Sequence, residues 1–122
     1  MAAGTYNFEI EQGVDFSKTF TWKNAAGVAI NIAGYTFRMM ARNDYADATP
    51  IITLSTVSPP GGIAIVGDGS AGQFTVSMTA VATALLNFSN LQYDLEAVAP
   101  LPGGIVTRLL EGTITLSREV TK

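Results

Sequence analysis

Leu91 to Ser117 reads LQYDLEAVAPLPGGIVTRLLEGTITLS, and this stretch decides the fold. Tyr93, Leu95 and Ala97 alternate with Asp94 and Glu96, the period of two that sends successive side chains to opposite faces of a strand. Pro100, Pro102, Gly103 and Gly104 supply a turn, because proline pre-sets a negative φ and glycine accepts a positive one. Leu110, Ile114 and Leu116 then fall on one face of the returning strand, with Thr113, Thr115 and Ser117 on the other. The spacing predicts a long hairpin through the middle of a sheet. No residue in it stands out as catalytic.

Toward the amino terminus the same period recurs. Tyr6, Phe8 and Ile10 alternate with Asn7, Glu9 and Glu11, and Gln12-Gly13 breaks the run. Val14, Phe16, Phe20 and Trp22 form the apolar side of a second strand. Lys18 sits on that apolar side, as at a bulge or at a sheet edge where an inward lysine discourages pairing. After the turn Asn24–Gly27, Val28, Ile30 and Ile32 predict a short strand. Tyr35, Phe37, Met39 and Ala41 predict a longer one, with Arg38, Met40 and Arg42 on its other face. Ile51–Val57, Ile63–Val66 and Gln73–Met78 are further strands, separated by the breaks Ser58–Gly62 and Gly67–Gly72. In Thr79–Phe88 the period changes. Val81, Leu85 and Phe88 lie three and four apart, which predicts a short helix with Thr79 as its N-cap and these residues on its apolar stripe.

Regular short strands with turn signals predict an all-β chain: an immunoglobulin-like antiparallel β-sandwich of about seven to nine strands, with one short helix before the penultimate strand. The chain has 122 residues, the length of one domain, so 1–122 is expected to be a single β-sandwich domain. In this fold a tyrosine at the start of the penultimate strand bonds back to the preceding corner, and Tyr93 is placed for that role.

Composition bounds the chemistry. The net charge is −3 and only seven Lys and Arg are scattered along the chain, which argues against nucleic acid as partner. No histidine and no cysteine are present, which excludes disulfides, thiolate zinc sites and histidine-based triads. No apolar run is long enough to span a bilayer as a helix, and the first residues lack the pattern of a signal peptide. No membrane partner, cofactor or metal is therefore expected. Asp44, Asp47 and Asp68 lie in loops without the ligand ladder of a calcium site. Asp94 and Glu96 share a strand face roughly 7 Å apart; paired carboxylates can hydrolyse glycosides, but they also line the outside of ordinary strands. No enzyme is expected. Trp22, Tyr35, Phe37 and Tyr45 could form an aromatic platform for sugars, but three of them sit in core-like patterns and only Tyr45 lies in a polar loop. Arg38, Met40 and Arg42 combine residue types enriched at interfaces. With Tyr45 they are the candidate partner contacts.

The wording of several segments adds to this. Tyr6-Asn7-Phe8-Glu9-Ile10-Glu11-Gln12-Gly13, then Asn24-Ala25-Ala26-Gly27 through Tyr35 with a strand ending at Arg42, then Tyr93-Asp94-Leu95-Glu96, Val106 to Ile114 and Val120-Thr121, follow one another in an order that resembles small virion proteins of tailed phages. The resemblance is to immunoglobulin-like tail and baseplate domains, including the amino-terminal domain of baseplate upper proteins. It implies a non-enzymatic virion structural protein, an adaptor or subunit of the tail, baseplate, neck or fibre-attachment region. It also implies several copies, a homo-oligomer within the particle, packed against other phage structural proteins. Baseplate upper proteins carry a long extension with no counterpart before Lys122, which argues against direct receptor binding. Two alternatives stand beside this reading: a capsid decoration protein, and a carbohydrate-binding module using Tyr45.

Overall fold

The computed structural model describes residues 4–44, 49–57, 61–100 and 102–118. Its strands are β1 (Gly4–Thr5), β2 (Phe8–Glu11), β3 (Phe16–Thr21), β4 (Thr36–Arg42), β5 (Ile52–Ser55), β6 (Ile63–Ile65), β7 (Gln73–Met78), β8 (Asn90–Val98) and β9 (Val106–Ser117). A five-residue helix, α1 (Ala80–Ala84), precedes β8. One sheet runs β1-β9-β8-β4-β5, with β2 also on β9; the other runs β3-β7-β6. The predicted hairpin is β8–β9, and it lies inside the larger sheet.

The two sheets meet through the apolar half of each alternating pattern. Phe37 of β4 stacks on Phe74 of β7 at 4.5 Å between ring centres. Phe8 of β2 meets Phe16 and Phe20 of β3 edge to face, at 5.6 and 5.8 Å. Leu91, Leu95, Ile114, Val76 and Ile32 are fully buried in the same cluster. Burying each such side chain contributes on the order of 1.5–3 kcal/mol, so this cluster dominates the stability.

Four features depart from the sequence reading. The amino-terminal strands run parallel to β9, with Phe8 opposite Ile114 and Gly4 opposite Leu110, so the larger sheet is mixed rather than wholly antiparallel. Val28, Ile30 and Ile32 form no strand. Their segment is held as a loop by bonds from the Ile30 N–H to the Trp22 carbonyl (2.9 Å) and from the Ile32 N–H to the Gly69 carbonyl (3.0 Å). Gly72 lies so close beneath it that a Cβ would sit 2.8 Å from the Trp22 and Ile30 carbonyls, and its φ of +69° also requires glycine. Ile32 is buried by packing rather than by pairing.

Third, Tyr93 does not bond to the preceding corner. Its hydroxyl donates to the carbonyl of Tyr6, on the far side of β9. The residue opposite Tyr93 on β9 is Gly112. A side chain at Gly112 would meet Asn7 Oδ1 at 2.8 Å and the Tyr6 carbonyl still closer, so glycine lets the amino-terminal chain and the phenol come together there. Fourth, the helix presents a different face from the one expected, as described below. Lys18, by contrast, is on an edge strand as its position suggested. β3 borders the smaller sheet, and the ammonium sits 5.6 Å over the Tyr6 ring.

Candidate functional site: a charged sheet face and an apolar helix

The outer face of the larger sheet is built by register. β4 lies against β8 with Arg38 opposite Glu96, Met40 opposite Asp94 and Arg42 opposite Gln92. Phe37, Met39 and Ala41 point inward and are buried, so their three neighbours must point out. Between Leu95 and Glu96 the register with β9 slips by one residue, so that Leu95 faces Leu110 while Glu96 faces Arg108. This bulge lets two consecutive leucines, Leu109 and Leu110, both pack on the core. It also puts Arg108 on the outer face beside the carboxylates.

That face is a ladder of opposite charges. The Arg38 Nε–H donates to Glu96 at 2.7 Å. Arg108 lies 3.6 Å from Asp94 and 3.9 Å from Glu111. Arg42 reaches the Met40 sulfur at 3.6 Å. Partial burial raises the Asp94 carboxyl above its ordinary range, and Glu96 and Glu111 push the same way, while Arg108 and Arg42 oppose them. A hollow of about 160 Å³ lies between Met40, Arg42, Gln92 and Asp94 on this face. Exposed pairs of this kind are worth about 0–1 kcal/mol each. Asp94 and Glu96, the carboxylate pair noted in the sequence, each face an arginine.

Tyr45, the fourth candidate contact, lies outside the described residues. Of the other aromatic candidates Phe37 is buried, while Trp22 and Tyr35 are half-buried and meet edge to face at 5.7 Å against the core. Asp68 belongs to a turn. Its carboxylate accepts from both the Ser70 hydroxyl (2.7 Å) and the Ser70 N–H (2.9 Å), which hold its pKa below the usual range.

A second surface was not legible beforehand. The buried residue of α1 is Thr83, at 0% exposure, while Val81 and Leu85 are 77% and 81% exposed. The Thr83 hydroxyl donates to the Val14 carbonyl at 2.9 Å and accepts from the Gly13 N–H at 3.0 Å. Asp15 accepts from the Ala80 N–H at 2.6 Å, and the Gln12 side chain donates to the Leu86 carbonyl at 2.9 Å. These four bonds fix the rotation of a helix too short to fix its own. Val14, on the same loop, is 48% exposed. The result is two aliphatic side chains one helical turn apart, Val81 and Leu85, held outward by polar contacts on the opposite side of the helix.

No family profile and no curated protein matches this chain. Among solved structures it is similar to Tim-1, at 12% identity and a TM-score of 0.50, over 100% of this chain and 99% of that one. The likeness is to an immunoglobulin-like fold, and it shows that fold alone. Together with the two packed sheets it establishes an all-β, immunoglobulin-like sandwich.

Proposed function

We propose that this protein is a non-enzymatic structural subunit or adaptor of a tailed-phage particle, in the tail, baseplate, neck or fibre-attachment region. The observation that carries the contact-making part of this reading is the rotation of α1. Hydrogen bonds of the buried Thr83, together with the core packing of Leu86 just after the helix, fix its rotation, and Val81 and Leu85 are left facing outward. Exposed aliphatic side chains that are positioned rather than incidental mark surfaces that meet other proteins. The phage part rests on the order of the sequence phrases running from Tyr6 to Thr121. The charged ladder of Arg38, Glu96, Arg108 and Asp94 suits the same role, because alternating signs fix register between neighbours more than they add affinity. The subunit packs against other phage structural proteins and against copies of itself.

Met40→Lys tests the sheet-face part of this reading. The side chain is at the centre of the outer face and only half-buried, so the isolated domain should keep its stability within about 0.5 kcal/mol. Particles produced with the variant should carry little or none of it. Normal incorporation would remove the Arg38–Met40–Arg42 face from the assembly.

A further inference from the structure

The outer face of the larger sheet carries its charges in columns. β4 presents Arg38 and Arg42, and β8 beside it presents Asp94 and Glu96. On β9, Arg108 stands opposite Glu96 and Glu111 opposite Asp94. Three arginines thus meet three carboxylates, and the face is neutral on a chain of net charge −3. It is open to solvent: the side chains of Arg38 and Arg108 are 50% and 53% exposed, and that of Asp94 is 39% exposed. The pairs within the chain leave capacity unused. Arg38 spends only its Nε–H on Glu96, and its terminal nitrogens donate to nothing among the described residues. Arg108 approaches Asp94 and Glu111 at 3.6 and 3.9 Å, beyond hydrogen-bond range. Each of these arginines keeps donors for a second carboxylate.

We infer that this face is an isologous interface between two copies of this chain, its two-fold axis lying in the interface, parallel to the strands and between β4 and β8. The charge pattern selects both the occupant and the axis. Rotation about that axis lays β4 of one copy over β8 of the other, at the same height along the strands. Arg38 then meets the partner's Glu96, and the partner's Arg38 meets Glu96, the reciprocal pairing that a two-fold interface requires. An axis across the strands would instead lay each column on itself, arginine on arginine and carboxylate on carboxylate, and such like-charge contact rejects that arrangement. The pairs within each chain persist, and the second copy fills their remaining donors and acceptors. Four strands, β5, β4, β8 and β9, make a face roughly 19 Å across at ordinary strand spacing. That is small for an interface, so the dimer is a weak one. The inference deepens the contact reading of this face given above and takes nothing from the phage resemblance.

The test is sedimentation equilibrium of the intact protein at low salt, at concentrations up to about 1 mM. A monomer–dimer equilibrium with Kd on the order of 100 µM is expected. Arg38→Glu and Glu96→Arg should each raise that Kd at least about tenfold. Mixed in equal amounts, the two variants should associate again, because each offers the charge that the other lacks. Each substitution moves the net charge of −3 by two, so both variants stay acidic and bulk attraction does not bring them together. The intrachain pair broken in each variant stays broken in the mixture, so recovery reports contact between copies and not repair of the fold. A chain that remains monomeric at about 1 mM would give the face to a different protein and overturn the inference. So would self-association that Arg38→Glu leaves unchanged, or variants that stay apart when mixed. Incorporation into particles, the test of the wider reading, is measured separately and does not depend on these outcomes.

Discussion

At the scale of single residues, Tyr93 bears more of the architecture than its place in the pattern suggests. Its ring is buried against Phe8, and its hydroxyl ties β8 to the amino-terminal chain across β9. Tyr93→Phe leaves the Tyr6 carbonyl without that donor and should cost about 1–2 kcal/mol in urea denaturation. Burial also raises the phenol pKa well above its ordinary value, with Tyr6 adding to the effect. A raised folded-state pKa means that the native state holds the proton more tightly than the unfolded chain. The contribution is therefore complete below the unfolded value of about 10 and is lost as pH rises above it. Absorbance at 295 nm should show a phenol still protonated well above the ordinary tyrosine range, and stability should fall over that alkaline range. The absence of any phenol ionising above the ordinary range would place Tyr93 in water. Gly112 belongs to the same junction. Gly112→Ala forces a Cβ into Asn7 and the Tyr6 carbonyl, and should destabilise by about 1–3 kcal/mol through overpacking.

At the scale of elements, the strands were legible and their partners only in part. The alternation of Thr36–Arg42, Gln73–Met78 and Asn90–Val98 fixed both their existence and their faces, because a period of two leaves one choice once a core exists. Lys18 left a bulge and a sheet edge open for β3, and the edge is what the smaller sheet shows. Parallel pairing of β2 with β9 was not legible, because alternation is the same for either direction. The Val28–Ile32 segment reads as a strand by the same period, yet its neighbours Gly69 and Gly72 press backbone against backbone and leave it no ladder. The helix failed for a different reason. A five-residue helix presents barely more than one turn, so the spacing of Val81, Leu85 and Phe88 was too short a pattern to fix which side is buried. Partners distant in sequence, Gly13, Val14 and Asp15, decided it. The double variant Val81→Ser with Leu85→Ser should accordingly change the unfolding free energy by less than about 1 kcal/mol. A loss of several kcal/mol in urea denaturation would mean that these side chains belong to the core after all.

At the scale of the whole molecule, the surface divides by chemistry. The outer face of the larger sheet holds Arg38, Asp94, Glu96, Arg108 and Glu111 in paired signs. The smaller sheet shows Ser17, Thr19, Thr21 and Thr75 with no charge among them, and the hydroxyls of Thr19 and Thr75 bond at 3.0 Å. Val81 and Leu85 form an exposed aliphatic pair at the helix, and Val14 is exposed on the loop that supports it. A rigid core carrying several unlike faces suits the proposed subunit with several neighbours. The candidate face at Arg38, Met40 and Arg42 could be placed from sequence alone because it follows from strand alternation. The helix pair could not, because it follows from tertiary hydrogen bonds.

The most direct measurement is quantitative mass spectrometry of purified phage particles, giving the copy number of this chain per particle. The proposal predicts that it is present at a symmetry-related number of roughly six to a few dozen. Hundreds of copies would move it from the tail to the capsid surface, and absence from particles would contradict the structural role itself.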